Sequence, residues 1–437
     1  MIPTKHQVSE GIILNSVKTD KFKSSLLTFT VNLPMTKKNT ANNMLLTAVL
    51  KRGTRSYPSL AAMNKRLDEL YSTSLDVRSA RIGKNLTTTV ICDILDPAYI
   101  PCGESILGDV LKMVVEIIRY PHLENGTFPK TVVEQEKRFL TDSLNSVVNN
   151  TRAYASERLH EACYRLDKEF PTIEELKSAV SEIDEATLTE FYFNVWKSST
   201  LNVFYVGSTD EKIIAKAIKD NFAPWTTESI TPVVQPQAEP ICPFTSQSEK
   251  MPVSQGKLAI SFKTGVCASD IGEIHALTVL NEVFGASPAS KLFLNVREKL
   301  SLCYFCSSSL NRYAGVITVS AGIENKNKDI AINAIKKEFE DIKNGNISDF
   351  ELTAAKRSLI NGVDQICDSP YDIQSFYSNR AFFNFTETLE IAKKGFLEVT
   401  AEQISSIAKN TVLDSIFFVE GDKASEDIDE KENDYDE

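Results

Sequence analysis

Along the chain, apolar positions recur in two rhythms: every second residue over short runs, and every third or fourth over longer ones. Residues 26–33, Leu-Leu-Thr-Phe-Thr-Val-Asn-Leu, are β-rich, stop at Pro34 and read as the first core strand. An apolar helix follows through residues 43–50, closed by Lys51, Arg52 and Gly53, the basic last turn and glycine stop that a helix C-terminus favours. Residues 56–70 start near Pro58 and place Leu60, Met63, Leu67 and Leu70 on one stripe. A hairpin is predicted over 74–81 and 86–94, turned at Gly83-Lys84-Asn85. Helices are predicted over 105–119, 130–148, 152–165, 173–180 and 186–196. A strand at 201–206 and a capped helix at 208–222, beginning Ser-Thr-Asp-Glu, complete a helix-rich half.

The rhythm then breaks. Pro224, Pro232, Pro236, Pro240 and Pro243 punctuate a stretch without helical periodicity, and residues 224–250 read as an extended, semi-rigid linker because proline fixes φ. Beyond it the order restarts. A strand at 257–262, helices at 273–284 and 290–299, and a hairpin at 304–310 and 315–321 come first. Helices at 328–343, 350–364, 373–382, 389–396 and 402–408 follow, and a last strand at 413–419 closes the half. Local sequence repeats as well: Lys137-Arg138-Phe139-Leu140 matches Lys356-Arg357-Ser358-Leu359, and residues 67–75 match 297–305. An internal duplication accounts for both. The expectation is two tandem α+β domains, 1–223 and 251–423, each a mainly antiparallel sheet backed by helices.

Composition narrows the class. At 437 residues, 42% hydrophobic and 24% charged, the chain reads as a soluble protein of more than one domain. No apolar run approaches the ~20 residues needed to span a bilayer. The N-terminus lacks a signal-peptide h-region, so a cytoplasmic location is expected. Of the net charge of −11, the tail 426–437 contributes −7, eight acidic residues against Lys431. Residues 424–437 read as an acidic disordered tail, and an acidic chain without a basic stripe gives no support for nucleic-acid binding. Cys92, Cys163, Cys267 and Cys367 sit in apolar segments as buried free thiols would. Cys303 and Cys306 form a C-x-x-C. On a regular strand they point to opposite faces and cannot pair.

Histidine is scarce, with four in all. His160-Glu161-Ala162-Cys163-Tyr164 misses the H-E-x-x-H zinc pattern because Tyr164 stands at the second His, and His275 has no partner in sequence; both read as structural. Gly83-Lys84 has no glycine-rich loop upstream and is not a phosphate loop.

The segment Asn43-Met44-Leu45-Leu46-Thr47-Ala48-Val49-Leu50-Lys51-Arg52-Gly53-Thr54 resembles the metal-binding helix of the insulinase, pitrilysin and mitochondrial-processing-peptidase family. There an inverted zinc motif, His-x-x-Glu-His, precedes an apolar turn and Lys-Gly-Thr. Laid on Gly53 and Thr54, the motif puts its first His at Met44, its catalytic Glu at Thr47 and its second His at Ala48. Residues 136–143 resemble the helix that supplies the third ligand. Glu136 keeps a supporting acidic position, and Ser143 stands where the ligand belongs. Catalytic zinc needs three N, O or S ligands and a base, so the resemblance implies a degenerate site with no metal on this chain.

Residues 290–304 resemble the family's second-half motif, a Leu-containing helix, Arg-Glu-Lys, a turn and Leu-x-Tyr, with Ser301 where the family usually has Gly. The resemblance implies substrate-binding roles for Arg297 and Tyr304. Guanidinium and phenol donors suit a peptide carbonyl or developing oxyanion; without it they read as a surface cation and a strand aromatic. The fold implied is two tandem insulinase-like domains, of the LuxS/metallohydrolase-like type. Segments such as Leu67-Asp68-Glu69-Leu70-Tyr71 look like the inactive member of a cytoplasmic bacterial pair associated with elongation factor P modification. The function implied is a non-catalytic subunit that pairs with a zinc-bearing peptidase subunit and completes a peptide chamber. Two alternatives are a peptide-binding scaffold, a homodimer with no peptidase role, and a divergent zinc peptidase. Zinc is expected only in the partner, with no nucleic acid and no membrane among the ligands.

Overall fold

The computed structural model describes residues 2–228 and 230–422. The acidic tail lies outside them. Strands β1 (Thr4–Ser9), β2 (Ile12–Lys18) and β3 (Ser24–Pro34) lead into helices α1 (Lys37–Val49) and α2 (Leu60–Glu69) and hairpin β4 (Ser74–Ile82) and β5 (Asn85–Leu95). Helices α3 (Leu107–Arg119), α4 (Lys130–Ser146), α5 (Thr151–Cys163), α6 (Ile173–Ser181) and α7 (Glu185–Val195) precede β6 (Leu201–Gly207) and α8 (Glu211–Phe222). Next come β7 (Thr245–Met251), β8 (Gly256–Lys263), α9 (Ile274–Asn281), two π-helical segments (Glu282–Ala286 and Leu292–Lys299) and hairpin β9 (Cys303–Asn311) and β10 (Val316–Ile323). Helices α10 (Lys328–Lys343), α11 (Asp349–Ile366), α12 (Pro370–Phe382), α13 (Leu389–Glu398) and α14 (Ala401–Asn410) and strand β11 (Val412–Gly421) complete the chain.

Local chemistry sets many of these boundaries. Thr36 and Ser59 accept hydrogen bonds from Asn39 N (3.0 Å) and Ala62 N (3.2 Å) to start α1 and α2. Reciprocal capping boxes, Thr172 with Glu175 and Thr400 with Gln403, start α6 and α14. α3 buries Val110, Leu111, Met113, Val114, Ile117 and Ile118, the stripe that period 3.6 produces. Leu60, placed on the buried stripe of α2 from sequence, is exposed because it is the first residue after the cap; Met63, Leu67 and Leu70 are buried.

The duplication is visible in the sheets. The first has strand order β1-β2-β6-β3-β5-β4 and the second β7-β11-β8-β10-β9. Apart from β1, each strand of one has a counterpart in the other. Even the single parallel pairing recurs, β2 with β6 and β7 with β11. The two segments matched in sequence fall at equivalent places, residues 137–140 and 356–359 each beginning at the eighth residue of α4 and α11. Tyr71 and Ser301, equivalent in the second match, both adopt the left-handed region, with φ of 56° and 49°.

The compact units do not follow the linear order of the halves. One comprises the N-terminus to Asn145, Glu169–Gln235 and Gln365–Leu389; the other comprises Ser146–Lys168, Pro236–Asp364 and the chain from Glu390. One helix is therefore exchanged in each direction. Within the first unit, α12 lies on the sheet: Gln374 donates to Thr28 Oγ1 at 3.3 Å and the Tyr371 hydroxyl to Asp93 at 3.1 Å. Within the second, α5 buries Ala155 and Leu159 against Ala259, Phe417 and Val419. Beyond the end of α5, Arg165 pairs at 3.3 Å with Asp414, which also lies 3.2 Å from Lys263; Asp414 and Lys263 are both 1% exposed. Neither exchange can be read from periodicity, since α5 and α12 segregate apolar from polar positions only weakly.

Two further sequence expectations need correction. The stretch 224–250 is not linker throughout, because Thr245–Met251 forms β7, a polar edge strand. Its register comes from pairing with β11, so no apolar alternation announces it. Cys303 and Cys306 do not face opposite ways. Opposite Gly322 stands Phe305 and opposite Ile323 stands Cys303, so Tyr304 is an extra, bulged residue. The bulge restores both cysteines to the buried side, at 7% and 3% exposure, where their thiols hydrogen-bond to each other. That bond lowers the Cys303 thiol and, with burial, raises that of Cys306.

Candidate functional site

The degenerate metal positions lie on α1, which is held to the first sheet by polar bonds as well as apolar packing. Asn43 is fully buried: its amide donates to Ser79 Oγ (2.8 Å) and Thr87 O (3.0 Å), and its carbonyl accepts from Thr88 Oγ1 at 2.5 Å. This network fixes the rotation of α1 and leaves Met44 and Ala48 half-buried, one turn apart on one face, with Thr47 buried beside them. The Thr47 hydroxyl bonds back to Met44 O at 3.0 Å, within its own helix.

The loop after α1 is built for close approach. A Cβ on Gly53 would stand 2.8 Å from the backbone carbon of Pro58, so glycine is required there. Thr54 is fully buried, its amide bonded to Tyr57 O at 2.8 Å and its hydroxyl accepting from Tyr57 N at 3.2 Å. The Gly-Thr half of the motif is thus accounted for by folding alone.

From this loop Arg52 reaches across to α4, its Nε 2.6 Å from Oε1 of Glu136, which is 5% exposed. Sequence reasoning noted Glu136 but missed its partner; the signal available was a cation directly after the helix. Ser143 stands two turns further along α4 and is exposed.

These side chains do not fit zinc. A thioether, a methyl group and two hydroxyls, one of them committed to its own backbone, offer no ligand set of the nitrogen, thiolate and carboxylate type that zinc takes. Among the described residues no cluster of three or more His, Cys, Asp or Glu side chains could hold a metal ion. Of the five positions Met44, Thr47, Ala48, Glu136 and Ser143, the carboxylate, Glu136, is already paired with Arg52.

In the second unit, Arg297 sits on the π-helical segment Leu292–Lys299, a geometry that recurs at functional sites. Its guanidinium lies 4.5 Å from the centre of the Phe293 ring and 3.5 Å from Glu298, and the side chain stays 38% exposed. Ser301, in the position usual for glycine, keeps the left-handed turn between this segment and β9. Tyr304 follows on the bulge at 63% exposure. The π-turn and the bulge therefore present both side chains to solvent from adjacent elements. Both deviations escape periodicity analysis, since each shifts the pattern by one residue.

The first unit also contains a cavity of about 450 Å³ between its sheet and α12, lined by Thr28, Thr30, Thr89, Gln374 and Ser378 among others. Alternating threonines on β3 and β5 were its sequence signal.

Comparisons with known proteins bear on the family and the fold. A family model described as Peptidase M16 inactive domain matches residues 182–359. The chain is 30% identical over 415 residues to a Bacillus subtilis (strain 168) protein named "Probable inactive metalloprotease YmfF", covering 94% of this chain and 96% of that one. The chain belongs to the peptidase M16 family. Among solved structures, a conserved protein from Enterococcus faecalis V583 matches with a TM-score of 0.88 at 26% identity over 97% of this chain and 99% of the other. An M16 inactive domain from Pseudomonas fluorescens shares the fold, with a TM-score of 0.79 at 16% identity over 97% and 99% of the two chains. The likeness to both solved structures runs over 97% of this chain, consistent with two tandem domains of mixed sheets backed by helices. No helix among the described residues is long and apolar enough to cross a membrane.

Proposed function

We propose that this chain is a non-catalytic M16 subunit. It pairs with a separate M16 subunit bearing an intact His-x-x-Glu-His, and its Arg297 and Tyr304 help hold peptide substrate in the shared chamber. The observation that carries the reading is the face of α1. Asn43 locks the helix in place while Met44, Thr47 and Ala48 leave nothing to bind zinc or to act as a base. The scaffold of the reaction centre is maintained and its chemistry is gone. Exposed donors on the π-turn and the bulge support a retained binding role: an Arg guanidinium and a Tyr hydroxyl can hold extended peptide carbonyls and stabilise negative charge developing on one.

The test is to co-express the chain with an M16 subunit of the same genome that carries the intact motif, isolate the complex and measure peptide cleavage. The expected result is cleavage by the pair and none by this chain alone, with kcat/KM lowered at least about tenfold by Arg297→Ala, the loss of one charged hydrogen bond. Cleavage by the pair that Arg297→Ala and Tyr304→Phe leave unchanged contradicts the substrate-binding role. Failure of any M16 subunit to associate contradicts the pairing.

A further inference from the structure

The second unit has its own cavity, of about 360 Å³, between the flank of α5 and strands β9 and β10. Strand register explains its polarity. Ser307 pairs with Ser320 and Ser309 with Thr318, so four hydroxyls share one face; Ser309 and Thr318 bond to each other at 2.8 Å. Ser156 and Arg152 of α5 line the opposite wall.

The next row along the same face is Lys257, Gly322 and Phe305, abreast on β8, β10 and β9. A Cβ on Gly322 would stand 2.5 Å from Phe305 Cε1, so the glycine lets the ring lie across the row. Two cations meet that ring. The Arg152 guanidinium lies 4.2 Å from its centre and Lys257 Nζ lies 5.8 Å from it. Neither forms an ion pair with any carboxylate among the described residues. Lys257 bonds only to the neutral Gln255 amide, while burial and the Arg152 charge depress its pKa.

The duplicated fold provides an internal comparison. In the first unit, the cavity against the sheet is also lined by hydroxyls and contains one arginine, Arg78, but Asp76 pairs with it at 2.7 Å. The unpaired cations of the second unit are therefore not a requirement of the architecture. Arg152, exposed at the rim, lines the hydroxyl-walled cavity and half-buried Lys257 stands in the adjacent row, and with no counter-charge between them among the described residues an anion would complete the arrangement.

We propose that this cavity binds a small anionic ligand, its oxyanion placed between Arg152 and Lys257 and its hydroxylated body against Ser307, Ser309, Thr318 and Ser320. A phosphate monoester or a carboxylate supplies the same oxyanion chemistry. The cavity is larger than a bare phosphate needs, which favours a ligand with a polar organic portion.

The test is calorimetric titration of the full chain at low ionic strength with inorganic phosphate, glycerol 3-phosphate and triglycine. Saturable binding of glycerol 3-phosphate, tighter than that of phosphate, is expected. Binding of triglycine but not of its C-terminal amide also supports the site and assigns a carboxylate. Arg152→Gln and Lys257→Gln should each weaken binding at least about tenfold, and Lys257→Arg should restore it. Ser309→Val, at an exposed strand position, should weaken glycerol 3-phosphate more than phosphate. Circular dichroism establishes that each variant is folded. No saturable binding by any probe, or binding that both charge-removing variants leave intact, overturns the proposal.

Discussion

Arg52 and Glu136 form an ion pair, Nε 2.6 Å from Oε1, that spans from the loop after α1 to α4, with the carboxylate almost wholly buried. Glu136 is thereby tied to a cation from the loop that follows α1. Removing the arginine alone leaves a buried charge without a partner. Arg52→Met is expected to cost about 3 kcal/mol of stability, and Arg52→Met combined with Glu136→Leu much less. Chemical denaturation of the two single variants and the double variant checks this; equal losses in all three would contradict it.

Half-burial of Met44 and Ala48, one turn apart, makes a second outcome measurable. Met44→His with Ala48→His places two imidazoles at i and i+4 on one face of α1. The double variant is expected to bind zinc measurably in a competition assay with a chromogenic chelator, while either single variant does not. A double variant that stays metal-free would mean that the helix face is not accessible as described.

The exchanged helices predict how the chain responds to being divided. Expressed alone, residues 1–235 lack α12 and carry an α5 with no sheet to cover; residues 236–422 lack α5 and leave Asp414 without Arg165. Each piece is expected to be unstable or aggregated, and co-expression to recover a soluble complex. Asp414→Asn in the whole chain should cost about 3–5 kcal/mol, because it leaves Lys263 buried without a counter-charge. Thermal melts of the variant and solubility of the pieces are the readouts.

Acid should weaken the second unit through a particular pair. Burial alone would raise the pKa of Glu351, but its bonds to Lys291, at 2.8 Å, and to the Ser348 amide hold it below the ordinary carboxylate value. A depressed folded-state pKa contributes stability that is fully present above the unfolded value, near 4.5, and is lost as pH falls through the folded value. Glu351→Gln is therefore expected to flatten the decline in stability below about pH 4.5. Denaturant midpoints measured from pH 3 to pH 6 would show an unaltered slope if the pair contributes nothing.

At the turn before Tyr304, Ser301 adopts φ of 49°, where an L side chain is strained. Ser301→Gly is expected to stabilise the chain by about 0.5–1 kcal/mol, seen as a rise in Tm, and to leave Arg297 and Tyr304 in place.

Much of this architecture is legible before any coordinates. Residues 74–95 declare a hairpin through alternation and a glycine turn, 328–343 declare a helix through its stripe, and the matched segments at 137 and 356 expose the duplication. What the sequence hides is what long-range pairing decides. β1 and β7 are polar edge strands whose partners set their register, and β2 has both faces covered, so it shows no alternation. The helix exchange leaves no local mark. At the site, the family resemblance is what implied that Met44, Thr47 and Ala48 stand where a zinc motif would have His and Glu. The bulge at Tyr304 and the π-turn under Arg297 were not, because each breaks the periodicity on which such reading depends.

The most direct measurement is the zinc content of the purified full-length chain, taken together with its peptide turnover in the absence of any other subunit. The account predicts far less than one zinc per chain, unchanged by Met44→Ala or Ser143→Ala, and no turnover. One equivalent of zinc, lost with turnover in those variants, would contradict it.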